Sequence, residues 1–208
     1  MITNEIIECF LNCDYKVYLK INNETGIKHE YVILQEKILQ SNKDRFYNKS
    51  ITGYTNNHVL QDCILDITNI PKDVCFIIRP KVKNQNYDIL MDAIEVNSDK
   101  KSRNKVVYIP ILITTPDKFT KKDKLYLCIK SLIFSKFTGI EYEYGKIIFG
   151  YELNSLKFKL KPYEKEALRI IKNLSLEFDS AEPIIYQKNH CKLCEFSDAC
   201  HKKLVEKD

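Results

Sequence analysis

Four cysteines constrain this chain more than any other feature, because they must lie together if they bind one inorganic centre. Cys191 and Cys194 are separated by two residues, and Cys200 follows in the same run, HCKLCEFSDACHKK. This spacing allows three thiolates to reach one centre. Structural zinc sites and 4Fe-4S clusters normally have four thiolate or imidazole ligands. The best candidate for the fourth ligand is Cys13, near the other end of the chain.

Two other interpretations of the cysteines stay open. His190 and His201 flank the C-terminal cysteines, so a local zinc knuckle with three cysteines and one histidine would also supply four ligands. His201 adjoins Cys200, however, and neighbouring side chains seldom both turn toward one ion. The cysteines could also be buried free thiols that cluster by chance. The remaining four are predicted to be core thiols: Cys9, Cys63, Cys75 and Cys128.

Length and composition predict one domain in a reducing compartment. A chain of 208 residues is expected to bury roughly 70% of its unfolded surface, which is enough for a hydrophobic core. The N-terminus has no basic region of the kind that opens a signal peptide. No run of eighteen apolar residues exists, so no membrane-spanning helix is expected. Eight cysteines without a secretory signal predict reduced thiols and a cytoplasmic location.

The positive charge of the chain is concentrated in one segment. Residues 97–124 hold eight Lys or Arg against three Asp, a local charge of +5 that equals the net charge of the whole chain. Such a segment suits the phosphate backbone of DNA, although a solvated surface is the commoner reason for it. The residues predicted to bind nucleic acid are Lys100, Lys101, Arg103, Lys105, Lys121 and Lys122.

Hydrophobic periodicity predicts two helices at the N-terminus. Apolar residues at helical spacing indicate a helix over residues 6–19, with Cys13 beside its core face. A second helix is predicted to run to about Arg45. Its core stripe is predicted to consist of Ile27, Tyr31, Leu34 and Ile38.

From Gly53 the pattern changes to the period-two alternation of strands. The predicted strands are 59–68, 75–82, 87–96, 105–114, 145–151 and 156–160. Pro110 predicts an edge position or a bulge in the fourth strand, because proline cannot donate to a β-ladder. Between the fourth and fifth strands, a helix that is apolar almost all round is predicted to be buried and to end at Gly139. Pro162 starts a last helix before the cysteines.

Together these motifs resemble the RecB-like nuclease family of the PD-(D/E)XK superfamily, in particular its iron–sulfur branch of CRISPR-adaptation exonucleases and AddB-type nuclease domains. Members of that branch carry one cysteine in an N-terminal helix, in a C-P-x-K-F-Y-L setting, and three in a C-terminal C-x2-C-x5-C cluster. Cys13 in CDYKVYL matches the first motif, with Asp14 in place of proline. The second motif is matched by Cys191, Cys194 and Cys200.

The resemblance covers nearly the whole chain and implies an α/β fold. In such a fold a mixed sheet is flanked by helices, and the N- and C-terminal elements are joined at a four-cysteine 4Fe-4S cluster, with Zn²⁺ as the alternative. The implied single domain spans residues 1–208. Its parts are N-terminal helices with the first cluster cysteine (1–50), a sheet core with the buried helix (53–160), and a C-terminal helix with the cysteine cluster (162–208).

The resemblance also implies a catalytic site for DNA cleavage. Family members hold Mg²⁺ or Mn²⁺ with a histidine in a G-x2/3-H-E motif, an aspartate at a strand end and the glutamate of E-x-K on the next strand. The metal polarises the scissile phosphate and lowers the pKa of the attacking water. Here GIKHE places His29 in the histidine motif, and Asp92 matches the aspartate. The E-x-K motif is missing from residues 105–114, and the family's Q-x3-Y motif is missing from the next helix. Glu36 and Glu95 are the nearest substitutes, but Glu95 is expected on the opposite sheet face from Asp92.

Three functions therefore stay open. The first is a divalent-metal-dependent DNA nuclease. The second is a degenerate nuclease fold that binds DNA or a partner protein without cutting, and the third is a zinc-binding structural protein. Some relatives are fused to helicase or nuclease modules, so a partner of that kind is also expected, whereas a membrane partner is not.

Overall fold

The computed structural model describes residues 1–53, 58–66, 70–71, 73–99, 105–177 and 182–205. The helices are α1 (Asn4–Asn12), α2 (Asp14–Ile21), α3 (Glu30–Gly53), α4 (Lys121–Thr138), α5 (Lys161–Glu177) and α6 (Ser197–Val205), with a short 3-10 helix at Asn189–Leu193. The strands are β1 (Ile2–Thr3), β2 (Val59–Gln61), β3 (Phe76–Ile78), β4 (Lys81–Lys83), β5 (Tyr87–Leu90), β6 (Ala93–Asp99), β7 (Lys105–Ile113), β8 (Tyr144–Phe149) and β9 (Asn154–Lys159).

The described strands form two mixed sheets. The larger sheet has the order β2-β3-β6-β7-β8-β9, and the smaller has the order β1-β5-β4. Within the larger sheet β2 runs parallel to β3 and β7 runs parallel to β8, whereas the other pairs are antiparallel. In the smaller sheet β1 is parallel and β4 antiparallel to β5.

Two predicted strands are each divided between the sheets. The predicted strand 75–82 is interrupted by Arg79, whose φ of 49° is left-handed, and by Pro80. The predicted strand 87–96 is interrupted at Met91 and Asp92, between β5 and β6. Buried apolar residues occur on either side of both breaks, so the hydrophobic pattern of the sequence does not mark them. The sequence pattern therefore predicted strand content correctly but missed the change of sheet.

Helices cover both faces of the larger sheet, as an α/β fold requires. The C-terminal half of α3 packs Phe46 and Tyr47 against Phe76 and Ile78 on one face. On the other face α4 lies against the sheet and packs beside α5 and α1. A capping box of Thr120 with Asp123, and a left-handed Gly139, define the ends of α4. Among the described helices, none has both the length and the apolar character to cross a bilayer.

The N-terminal helices differ from their predictions. The predicted helix 6–19 is broken at Cys13 into α1 and α2. The stripe predicted to be core is exposed: Ile27 is 89% exposed and Leu34 is 53% exposed. That prediction was wrong, because the sheet is contacted by the later turns of α3, whereas the stripe lies in and before its first turns.

Pro110 lies inside the larger sheet and not at its edge. Strand β7 pairs with β6 on one side, where Pro110 faces Ile94, and with β8 on the other. The pairing with β8 starts only at Ile111. Pro110 is therefore tolerated because the strand has a single neighbour at that residue, which makes its environment locally similar to an edge.

Candidate cysteine centre and Asp92 cavity

Cys13 lies at the break between α1 and α2. Its backbone is extended, with φ −163° and ψ 123°, so it ends one helix and begins the next. The Cys13 N–H still donates to the Cys9 carbonyl at 2.8 Å, as the last hydrogen bond of α1. This position brings the Cys13 side chain to a cavity that the C-terminal cysteines also line.

The C-terminal segment docks on α2 through an apolar contact. Phe196 is buried against Tyr15 and Leu19, and Cys13, Cys194 and Cys200 pack around the same small core. Apolar burial of this kind is worth about 2 kcal/mol for a large side chain. Protein contacts therefore bring the two ends of the chain together at the cysteines.

Glu195 joins the C-terminal segment to two further parts of the chain. Its carboxylate pairs with Lys16 at 3.0 Å and with Lys20 at 3.2 Å. Burial acts to raise the pKa of Glu195, but the two ammonium groups outweigh burial and the pKa lies below its usual value. The Glu195 carbonyl accepts the Ile27 N–H at 3.0 Å, and a Cβ on Gly26 would lie 2.3 Å from that oxygen. Gly26 of the predicted histidine motif is therefore required for this close approach.

The four cysteines of the predicted cluster line one cavity of about 450 Å³, and they are Cys13, Cys191, Cys194 and Cys200. Burial raises the pKa of Cys200 to about 11, and the three other thiols of the cavity act in the same direction. Four cysteine thiols are the donor set that an iron–sulfur cluster or a structural zinc ion uses, so the residues fit such a group in type and number. Binding would require their deprotonation.

Two histidines share the cysteine cavity, His190 and His201. The Nε2 atom of His190 is buried and has no hydrogen-bond partner within the described chain. Across the described ranges, no three or more His, Cys, Asp or Glu side chains are grouped so that they could hold a single metal ion.

Asp92 lies between β5 and β6, where the chain passes from one sheet to the other. It is 4% exposed and lines a second cavity of about 280 Å³. Its Oδ1 pairs with the Lys43 ammonium of α3 at 2.8 Å. Its Oδ2 accepts a hydrogen bond from the Ile113 N–H at 2.8 Å. Both carboxylate oxygens of Asp92 therefore have protein partners.

A second lysine, Lys130 of α4, is buried close to Asp92. Burial lowers the pKa of Lys130 to about 8, although the Asp92 carboxylate acts in the opposite direction. Burial by itself would raise the pKa of Asp92, but Lys43 and Lys130 reverse this effect and hold it below its usual value. Mg²⁺ and Mn²⁺ prefer several oxygen ligands. One carboxylate that already pairs with an ammonium group does not match that requirement.

His29 immediately precedes α3 and caps its N-terminal end. Its Nδ1 accepts the Tyr31 N–H at 3.1 Å, and its carbonyl accepts the Val32 N–H at 2.9 Å. These are the contacts of a residue that immediately precedes a helix. His29 is exposed and is not among the residues that line the Asp92 cavity. Joint metal binding by His29 and Asp92 stays a prediction.

Strand β7 contributes no charged side chain to the Asp92 cavity. From β7 and the residue after it, the lining residues are Leu112, Ile113 and Thr114. The two carboxylates considered as substitutes have other partners. Glu36 pairs with Lys28 at 2.7 Å, and Glu95 pairs with Lys146. The missing E-x-K motif is therefore not replaced by either carboxylate.

Among the described residues that were predicted to bind nucleic acid, Lys122 lines the Asp92 cavity. Lys122 lies in the first turn of α4 and donates to the Asn12 side chain. Lys121 pairs with Glu166 at 2.8 Å. Three other residues predicted to bind nucleic acid lie outside the described part of the chain, and they are Lys100, Lys101 and Arg103. The side chain of Lys105 is also not described.

Sequence patterns did not single out three charged residues of this cavity: Glu8, Lys43 and Lys130. Lys130 had a usable signal, because it interrupts the apolar run LYLCIKSLIF of a helix predicted to be buried. Glu8 and Lys43 lie on mixed polar helices and carry no such signal. Their meeting with Asp92 depends on how α1, α3 and α4 pack.

Comparison with known proteins adds little to this geometry. No protein-family model matches the chain, and no curated protein matches it. A solved structure, the crystal structure of SSO0001, is similar to the chain with 19% sequence identity and a TM-score of 0.37. The alignment covers 60% of this chain and 59% of SSO0001, so the chain spans less than two thirds of that protein. A likeness of this strength supports no conclusion about function.

Proposed function

We propose that this chain is an iron–sulfur protein with a degenerate RecB-like nuclease fold of the PD-(D/E)XK type, which binds DNA without cleaving it. The observation that carries the proposal is the state of Asp92. Its carboxylate is paired with Lys43 and with the Ile113 N–H, in the place where a nuclease of this type would hold a metal ion. The Lys43 ammonium group balances the negative charge of Asp92, which a divalent cation would balance in an active nuclease.

The cysteine cavity supports the iron–sulfur part of the proposal. Cys13 meets the three C-terminal cysteines at one cavity although it lies far from them in sequence. A cubane iron–sulfur cluster takes four cysteine thiolates, which is the donor set that lines this cavity. When bound, the cluster would supply a cross-link through iron–thiolate bonds between the two ends of the fold.

Basic side chains near the Asp92 cavity support DNA as the partner. Lys122 lies at this cavity, and Lys121 lies beside it at the start of α4. Lysines bind DNA through the phosphate backbone, which gives affinity without sequence preference and without any cleavage step.

A metal-dependent nuclease is the second candidate, because Glu8 of α1 lines the same cavity as Asp92. Two carboxylates and the amine of Lys130 would then stand in for the missing E-x-K residues. In this alternative Lys43 would have to leave Asp92 for a divalent ion to bind.

Metal analysis tests the iron–sulfur part. We expect anaerobically purified protein to contain about four iron atoms and matching sulfide per chain. Stoichiometric zinc without iron would contradict the cluster and favour the zinc-binding structural protein.

DNA binding and cleavage are tested together with labelled single- and double-stranded DNA. We expect binding that weakens steeply as salt rises, and intact DNA in Mn²⁺. Lys122→Ala should weaken binding, whereas Lys172→Ala on the exposed side of α5 serves as the matched control. Cleavage that Asp92→Asn and Glu8→Gln both abolish would replace this proposal with the nuclease. Absence of binding at low salt would contradict the role in DNA binding.

A further inference from the structure

The first turns of α3 leave a row of large apolar side chains exposed, which we call the apolar seam. Its members are Ile27, just before the helix, and Tyr31, Leu34 and Ile38 on it, with exposed fractions of 89%, 51%, 53% and 40%. The three helical members follow at i, i+3 and i+7, so they lie on one side of α3 at the spacing of a coiled coil. Single exposed apolar side chains are ordinary, whereas a contiguous row of them marks an interaction surface.

Two charged side chains border the seam on the same side and have no partner. Glu30 and Lys37 lie seven residues apart, and each directly precedes a helical member of the seam. Both are exposed, and neither side chain has a hydrogen bond or an ion pair with another residue in the described ranges. The neighbouring Lys28 and Glu36 differ, because they pair with each other at 2.7 Å. One negative and one positive side chain are therefore free to pair with another molecule.

The positions of these two charges are complementary to themselves when two such helices run antiparallel. In that arrangement the bordering side of one helix faces the same side of the other. Glu30 of each copy then lies opposite Lys37 of the other copy, and two ion pairs form. In a parallel arrangement each charge would face the opposite border of the seam, where Gln35 and the buried Asn42 carry no charge. The charge pattern therefore favours a second copy of this chain, in antiparallel orientation, over the seam.

We infer that the apolar seam is the contact surface of a symmetric dimer, in which a second copy of this chain lies antiparallel across it. Apolar side chains meet along the middle of the contact, and Glu30–Lys37 ion pairs lie at both ends. None of these residues lines the cysteine cavity or the Asp92 cavity. The dimer therefore depends neither on a metal centre nor on DNA.

The contact is small, so the dimer is weak. The helical part of the seam covers about two turns, whereas stable interfaces bury at least about 1,000 Å² in total. Surface ion pairs contribute only up to about 1 kcal/mol each. Dilute protein, as used in denaturation experiments, is therefore expected to be monomeric, and the dimer is expected at high protein concentration.

Sedimentation equilibrium from low micromolar to near millimolar protein tests the inference. The wild-type protein is expected to shift reversibly from the mass of one chain toward the mass of two. Leu34→Glu places a charge in the seam and should abolish this shift, because the charge would be buried in the contact without a partner. Leu168→Glu, at a leucine of α5 that is 56% exposed, is the matched control and should dimerise like the wild type.

Charge reversal tests the antiparallel orientation. Glu30→Lys alone, or Lys37→Glu alone, would place like charges opposite each other at both ends of the contact. Each single variant should weaken the dimer by about tenfold. The double variant with both substitutions exchanges the two charges and should restore dimerisation to near the wild-type level. All of these positions are exposed, so circular dichroism should show the wild-type fold in every variant.

Loss of the dimer in both single charge variants, with recovery in the double variant, supports the inference. Wild-type protein that stays monomeric at every concentration would overturn it. Dimerisation that Leu34→Glu leaves unchanged, or that the charge reversals do not affect, would also overturn it. Iron content and DNA binding do not enter these measurements, so the result is independent of the proposed function.

Discussion

Lys130, Lys43 and Asp92 form a buried group of two amines and one carboxylate that comes from three separate parts of the chain. Asp92 pairs with Lys43 at 2.8 Å, and its carboxylate also acts to raise the pKa of the buried Lys130, against the larger effect of burial. Removal of one partner from a buried ion pair is strongly destabilising, but a buried amine without a partner is itself a cost. Burial of the charged Lys130 amine is therefore a cost to the stability of the fold.

Replacement of Lys130 by methionine is expected to stabilise the protein at neutral pH. Burial lowers the pKa of Lys130 from its ordinary 10.5 to about 8, so the native state binds this proton more weakly than the unfolded state. The penalty is fully present below pH 8 and disappears as pH rises toward 10.5, since the native amine then becomes neutral first. Lys130→Met should be more stable than wild type by up to about 3 kcal/mol at pH 7. That advantage should shrink by pH 10.

Urea denaturation of both proteins at pH 7, 8.5 and 10 measures this difference directly. Other titrating groups are common to the two proteins and cancel. Lys136→Met, at an exposed lysine of the same helix, is the control for loss of a lysine side chain. A stability difference between Lys130→Met and wild type that stays constant across these pH values would contradict the lowered pKa of Lys130.

Helix α3 behaves as two parts. Its C-terminal half packs on the sheet through Phe46 and Tyr47, whereas its first turns leave Tyr31 and Leu34 in contact with solvent. The helical periodicity of apolar residues in this segment correctly predicts a helix with an apolar face. Periodicity does not predict whether another part of the protein packs against that face. The same limit applied to the strands, because the hydrophobic pattern does not mark the change of sheet at Asp92.

Two leucines of α3 should therefore respond differently to truncation. Leu34→Ala is expected to change the free energy of unfolding by no more than about 0.5 kcal/mol, as at other exposed positions. Leu39→Ala should lower it by about 1–2 kcal/mol, because Leu39 packs against the sheet core. Urea denaturation of both variants under the same conditions gives the comparison. A larger loss for Leu34→Ala than for Leu39→Ala would mean that a partner or a second copy covers the first turns in solution.

At the scale of the whole molecule, the chain is closed at its two ends. Phe196 and Glu195 dock the C-terminal segment on α2 and on the loop at Gly26, and Cys13 meets the C-terminal cysteines at one cavity. A cross-link at this point would close a loop that includes most of the chain. Closing such a loop lowers the entropy of the unfolded state, with a stabilisation of about 5 kcal/mol if strain is small.

Cys13→Ser is expected to prevent binding of the proposed iron–sulfur cluster and to remove much of this stabilisation. Iron content should fall to background, and the free energy of unfolding should fall by several kcal/mol, at most about 5 kcal/mol. Amide hydrogen exchange should become faster in α2 and in residues 182–205 together. Cys75→Ser, at a partly buried cysteine outside the cavity, is the control and should keep its iron. A Cys13→Ser protein that retains the iron of the wild type would contradict the four-cysteine centre.

The sequence by itself determined the local features of this protein. Helix and strand content followed from periodicity, the C-terminal end of α4 from Gly139, and the candidate metal ligands from the spacing of Cys191, Cys194 and Cys200. Tertiary structure alone decided which distant residues meet. It gave Asp92 a lysine partner, buried Lys130 and left the first turns of α3 exposed. The reason is physical, because propensity and periodicity act over a few neighbouring residues, whereas these contacts are made by packing between elements far apart in the chain.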